Sequence, residues 1–358
     1  MTAPGKVAFF SVGVRRGGPR FSWLNAAFTK GMNLFFKRMM GFVLIIVQCF
    51  SIISAAAAAD MRIVDGQTVV DQAGRRIAVK KPFSRIISLY GAHTENLFAL
   101  GGGDGLIGVA PNEDYPPEAG RKPVFSYHDD PEKFLAATPD LVLTRPMIDR
   151  GYPQFVQRLE KSGITVVSLQ PGTVEEMVVY WQILGILTGR REKAAAMATR
   201  FRTAVSELAA LTASVSPKKR VYFEAIHAKM KTFAPDSMAV FALEAAGGVN
   251  IARDAAPVRD TNIADYGKER ILAHASEIDV FLAQSGTMNQ PTLELIRAES
   301  GFQAIRAVKT QHVYIIDERL VSRPTLRLLD GIFELGRILY PDDFTERARE
   351  IIQKAKTG

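Results

Sequence analysis

Cysteine is nearly missing from this chain of 358 residues, and the one present, Cys49, lies in an apolar run near the N-terminus. Val47 and Gln48 precede it, where a lipidation site would take small residues. Beyond it no disulfide can form, which an oxidising compartment permits but does not require. Acidic residues are missing from the first 59 positions, which carry seven basic ones (Lys6, Arg15, Arg16, Arg20, Lys30, Lys37 and Arg38). An apolar run from Gly41 to Ile53 and the tract Ala55 to Ala59 follow. The run falls short of the roughly 20 residues a membrane span takes, so the order of basic, apolar and small residues reads as a secretory signal cleaved near Ala59. Either Met1 or Met32 can serve as its start. After residue 59 there are 38 basic against 37 acidic residues, so the pI near 9.5 belongs to the leader. Nucleic acid is therefore not an expected partner, and export to the periplasm is.

Fingerprints of catalysis are also missing. No Gly-Lys-Ser/Thr phosphate loop and no Gly-x-Ser-x-Gly elbow occur. Gly103, Gly105 and Gly108 have dinucleotide-binding spacing, but they follow a helical run, Thr94 to Leu100, and precede a strand-like one, Leu106 to Ala110. That order reads as a glycine helix stop feeding a strand. The chain is expected to be no enzyme and to carry no cofactor.

What is present is a long amphipathic helix from about Arg190 to Ser214, with Met197, Phe201, Val205, Leu208 and Leu211 as its apolar stripe. On each side of it apolar strand runs alternate with helical patterns: Arg85–Leu89, Leu106–Ala110, Asp140–Thr144 and Ile164–Leu169 before, Arg220–Ile226, Ile278–Ala283 and His312–Asp317 after. The halves echo each other. LFALGGGDGLIGVA from Leu97 is similar to VFALEAAGGVNIA from Val240, and PEKFLAATPDLVL from Pro131 to KERILAHASEIDVFL from Lys268. The expected fold is α/β, two lobes of one design on a helical spine. Its divisions are a leader over 1–59, a hairpin over 60–84 around the turn Asp71-Gln72-Ala73-Gly74, a first lobe over 85–172, the spine over 173–216 and a second lobe over 217–358.

The stretch from Arg85 to Ala119 (RIISLYGAHTENLFALGGGDGLIGVAPNEDYPPEA), followed by PEKFLAATPDLVLT, the long helix and KERILA, resembles the class III periplasmic substrate-binding proteins. These serve ABC importers for cobalamin, ferric siderophores and haem. The resemblance spans nearly the whole chain after residue 59. It implies two Rossmann-like lobes joined by one rigid helix, a ligand cleft between them, a monomer, and capture of a bulky metal chelate for delivery to a membrane permease. A free-metal or oxyanion (molybdate-type) binder of the same fold, and a secreted enzyme using the cleft, remain as alternatives.

In such a fold the loops beyond the carboxyl ends of the strands line the cleft. Those of the first lobe supply Tyr90, His93, Tyr115, Tyr127, His128 and Arg145; those of the second supply His227, Lys231, Asn262 and Arg323. The resemblance places Tyr115 and Tyr127 where cobalamin binders carry pocket aromatics, and Arg145 where they have a tryptophan. A cation there favours an anionic ligand, although a surface ion pair would explain Arg145 equally well. His93, His128 and His227 with Glu224 have the chemistry to bind a metal directly, but no close-set pair of ligands marks such a site, and no metal is assigned. His274 and His312 read as structural. Glu132 and Glu269 open the EKFLA and ERILA helices. The resemblance matches them to the pair of glutamates that dock on the permease subunits, while the helix dipole alone would also favour acids there.

Overall fold

The turn at Asp71 does what its residue types dictate. Asp71 Oδ1 accepts from the backbone N–H groups of Ala73 and Arg75 at 3.0 and 2.8 Å, and Gly74 takes a φ of 81°. Around it the computed structural model, which describes residues 60–258 and 261–357, forms an antiparallel sheet of β1 (Arg62–Asp65), β2 (Thr68–Val70) and β3 (Arg76–Ala78). This is one strand more than the expected hairpin. Asp71 is buried, and its Oδ2 accepts from Ser168 N at 2.9 Å, so the small sheet is tied to the first lobe. The expected leader, its cleavage site and Cys49 lie outside the described residues.

The first lobe is a parallel sheet of β4 (Ile86–Ser88), β5 (Leu106–Gly108), β6 (Leu141–Thr144) and β7 (Thr165–Ser168) in the order β5-β4-β6-β7. All four had been visible as apolar runs, because helices on both faces leave nearly every position buried. Gly103–Gly105 form a short 3-10 turn feeding β5, not a phosphate loop. The second lobe contains β8 (Arg220–Ile226), β9 (Lys231–Phe233), β10 (Val249–Asn250), β11 (Ala256–Pro257), β12 (Ile263–Asp265), β13 (Val280–Ser285) and β14 (Val313–Asp317). Its order is β11-β12-β9-β8-β13-β14, with β10 also paired to β8. The β8, β13 and β14 core is parallel, while β9, β12 and β11 extend it antiparallel.

The spine expected over 173–216 is two helices, Val174–Thr188 and Arg191–Leu211. Gly189 stands between them at φ 69°, the left-handed conformation that ends a helix. At 1.5 Å per residue the second helix is roughly 31 Å long. Met197, Phe201 and Leu208 of the expected stripe are buried, joined by Ala194, Ala198 and Ala204, whereas Val205 and Leu211 are only partly covered. Trp181 of the first helix is fully buried and meets Phe201 of the second edge to face, 5.4 Å between centroids. One apolar cluster runs without a break from Val69 and Ile86 through Trp181 and Phe201 to Phe223 and Leu335, so both lobes share a core across the spine. Among the described residues no helix is long and apolar enough to cross a membrane.

Trp181→Ala should cost about 3–5 kcal/mol, the usual penalty for emptying a core site of this size. Urea unfolding measures it. A loss under about 1 kcal/mol would show that the two lobes do not depend on this contact.

Candidate functional site

The carboxyl ends of β4, β5 and β6 lead into Tyr90, into Glu113, Asp114 and Tyr115, and into Arg145; that of β14 leads into the segment Arg319 to Arg327. Tyr90 is half-buried and immediately precedes the helix Gly91–Ala99. The Arg145 guanidinium lies over the Tyr90 ring, 4.5 Å from its centroid, and its Nη2 donates to Met147 Sδ at 3.0 Å. Its Nε is buried with no partner, and no carboxylate among the described residues stands at ion-pair distance from it. Stacking on a tyrosine face holds the cation flat while leaving donors to spend.

Across the cleft the second lobe presents Arg319, Arg323 and Arg327 at intervals of four. Arg319 binds Asp317 and, from the first lobe, Asp114, both at 2.7 Å. Arg323 and Arg327 both reach Glu95 Oε1, at 3.1 and 3.4 Å, and Arg327 also stacks on Tyr115 at 4.5 Å. Glu95 is only 4% exposed, and its Oε2 has no partner. Asn96 Nδ2 donates to Pro324 O at 2.8 Å. Arg323, expected to be free for an anionic ligand, is therefore held by a carboxylate of the other lobe. Glu113 completes the cluster. A Cβ on Gly91 would lie 2.4 Å from Arg323 Nη1 and 2.6 and 2.7 Å from the two Glu113 carboxyl oxygens, so both side-chain ends rest directly on the bare backbone there. Burial pushes the Glu113 carboxyl up to about 7; Arg323 pulls it down, while Glu95 and Asp114 push it further up.

The other expected residues divide. Tyr127 and His128 stack at 4.3 Å and both pack on Tyr152, at 4.8 and 5.1 Å, beside a groove of about 520 Å³ that Asp129 and Phe155 also line. His93 is fully buried. Its Nδ1 meets Tyr180 Oη at 2.7 Å and its Nε2 meets Thr144 O at 2.9 Å, and burial holds its pKa down to about 3. As placed, it has no nitrogen left for a ligand, because the helix that carries it turns it inward onto β6. His227 is backed by buried Glu224 at 3.0 Å, which raises its pKa, and its Nε2 lies 3.9 Å from Glu299, itself paired with Lys268. Lys231 pairs with Asp265 at 2.8 Å, and the Asn262 carbonyl accepts from Ala234 N. These two sit beside β9 and β12, on the opposite side of β8 from β14, and apart from the Arg319–Arg327 segment in the sheet. The three histidines do not converge; among the described residues no group of three or more His, Cys, Asp or Glu is placed to hold a metal ion. His312 is exposed and its ring meets the Thr310 hydroxyl at 2.8 Å, and His274 lies 3.5 Å from Glu277. Glu132 and Glu269 are exposed in the first turns of their helices, and Glu132 pairs with Arg158 at 2.7 Å.

Sequence reasoning missed Glu95, Arg327 and Tyr152; it placed the loop from Asn112 to Tyr115 at the cleft but gave Glu113 no role. The four-residue spacing of the arginines was a usable signal for Arg327; the acids gave none.

Residues 86–320 match the family model described as periplasmic binding protein. The chain belongs to that family. Membership implies an exported protein. Over 284 residues the chain is 27% identical to an uncharacterized ABC transporter substrate-binding lipoprotein, YvrC, of Bacillus subtilis, covering 78% of this chain and 87% of the relative. Over 257 residues it is 28% identical to the vitamin B12-binding protein of Vibrio cholerae, covering 70% and 88%. Among solved structures, a possible iron-binding periplasmic protein from Staphylococcus epidermidis aligns with a TM-score of 0.64 and 26% identity over 73% of this chain and all of the other. The periplasmic vitamin B12 binding protein of Vibrio cholerae aligns at 0.54 and 24%, over 75% and 99%. The two-lobed class III architecture is thus this chain's fold, and these relatives are named as binding proteins, not enzymes.

The His227–Glu224 pair carries a pH signature. A histidine whose folded pKa is raised contributes stability that is complete below its unfolded value of about 6.5 and fades as pH rises through the folded value. His227→Gln should therefore lag the wild type in urea unfolding by more near pH 6 than near pH 9. A gap that does not change with pH would contradict the pairing.

Proposed function

We propose that this chain is the substrate-binding component of an ABC importer, exported to the periplasm, which captures a bulky metal chelate between its lobes and hands it to a permease. Ferric siderophores, cobalamin and haem are the chelates considered. The observation that carries this reading is Arg145: a guanidinium stacked on Tyr90 with a buried Nε that nothing among the described residues satisfies. A buried donor left unpaired costs about 1–3 kcal/mol, so the site is built for an acceptor from outside. Tyr90 lies under Arg145 and Tyr115 under Arg327, while Tyr127, His128 and Tyr152 form a second aromatic group of the first lobe; both groups are proposed to meet a large planar or aryl ligand. His227, Lys231 and Asn262 stand further round the second lobe, where they are proposed as outer contacts. His93 contributes by holding the helix start behind Tyr90, since the two rings meet edge to face at 5.2 Å.

The chain covers 88% and 89% of two relatives named for vitamin B12 binding, which supports a binding role. Glu132 and Glu269, one on the first helical turn of each repeat, are proposed as the charges that meet the two permease subunits; rim charges of this kind set orientation and on-rate more than affinity. The protein is taken to work as a monomer.

Two sets of variants test this in one experiment. Arg145→Ala should weaken chelate binding by about one to two orders of magnitude, the worth of one charge-assisted contact. Glu132→Ala with Glu269→Ala should leave binding unchanged and impair uptake through the cognate permease. Calorimetry and transport assays at matched protein levels read the two effects; unaltered binding in the first, or normal uptake in the second, removes the corresponding role.

A further inference from the structure

Glu113 has no task in the chelate reading, yet it occupies the middle of the cleft. Its carboxyl faces Glu95 from the helix Gly91–Ala99, Asp114 from its own loop, Arg323 from the second lobe and Arg145 from the end of β6. No group among the described residues hydrogen-bonds to that carboxyl, and Arg323 spends its Nη1 on Glu95. Both Glu113 oxygens and Arg323 Nη1 crowd the same spot over Gly91. Glu113 is a half-buried carboxylate with no protein hydrogen bond, set among two other acids and held by the nearby arginine charge, so little in the protein fixes it in place. The position it fills, beside Arg323 and within the field of Arg145, is where a ligand's negative group would be best placed.

Resting on the reading of this cleft as a chelate site, we propose that Glu113 is a displaceable counter-ion: an anionic group of the ligand takes its place beside Arg323 and Arg145, and Glu113 takes up one proton from solvent as it yields. The balance is simple. The cleft gains the ligand's negative charge and loses that of Glu113, so the arginines stay neutralised throughout. In the free protein the carboxyl titrates at about 7, so it is divided between acid and carboxylate near neutral pH. A bound anion adds a further like charge and raises that pKa again. Protons are therefore taken up on binding. Affinity for an anionic ligand is highest below about pH 6 and falls, by up to about tenfold per unit, as pH rises through the free value. A ligand without net charge does not displace Glu113 and shows little of this dependence.

The test uses the mature protein and Glu113→Gln, with ferric tris-catecholate as a trianionic probe and cyanocobalamin as a probe without net charge. Calorimetric titrations are run near pH 6 and pH 8 in buffers of different ionisation heat. The trianion should bind the wild type about tenfold more weakly at the higher pH, with net proton uptake, while Glu113→Gln and cyanocobalamin show neither effect. Equal binding of the trianion at both pH values, or a pH slope that survives in Glu113→Gln, overturns the proposal. A carbon-13 carboxyl titration of the ligand-free protein should find a midpoint near neutrality that Glu113→Gln lacks; a midpoint in the ordinary carboxylate range overturns the proposal even where neither probe binds. If the midpoint is neutral and both probes fail, the chelate reading falls and the exchange with it, leaving only the proton site.

Discussion

Glu95 is the constraint on which the cleft depends. A carboxylate buried to this degree is tolerated only with cations at hand, and removing one partner of such a group costs about 3–5 kcal/mol. Arg323 and Arg327 supply the charge, and both come from the other lobe. The segment that carries them has to cross the cleft, where the Pro324 carbonyl also takes hydrogen bonds from Asn96 and, at 3.4 Å, from Trp181. Arg319 adds a third cross-lobe pair at the rim with Asp114, more exposed and worth correspondingly less. The same contacts that join the lobes thereby consume cations that a ligand would otherwise meet, and within this cleft Arg145 has no carboxylate at ion-pair distance among the described residues.

This joint works with the spine rather than beside it. Trp181 touches both, packing on Phe201 in the second spine helix and donating to Pro324 in the arginine segment. A core continuous through two packed helices resists the wide hinge opening of lobes joined by flexible strands. Adjustment on binding is then a matter of side chains and charge exchange at the cleft surface.

Much of the fold was legible in the sequence because it rests on long signals. The strands β4 to β8 and β13 are apolar runs that are mostly buried, β14 is an apolar run at the sheet edge, and the stripe from Met197 to Leu208 keeps helical period over several turns. The strands β9 to β12 were not legible, since they are short pieces outside any longer apolar run; β9 and β10 form along β8, β12 on β9 and β11 on β12. The start of the long helix near Arg190 was legible because Gly189 is followed by the charged run Arg190-Arg191-Glu192-Lys193. In the site, aromatics and cations announced themselves by residue type and strand-end position: Tyr90 with Arg145, and Tyr127 with His128, do stand together. The acids did not announce themselves. Glu95 lies within an otherwise buried helix and meets Arg323 from 228 positions away, a pairing that no local pattern encodes. For the same reason His93, which looked like a cleft residue by its place in the chain, turned out to face the core.

A chelate held between the lobes at Arg145 is the claim from which the rest follows, and native mass spectrometry of the protein taken from its own cells addresses it without choosing a ligand in advance. The account predicts one metal-containing small molecule per chain, retained by the wild type and lost from Arg145→Ala. A bare metal ion as the only added mass, or a small molecule retained equally by both proteins, would contradict it.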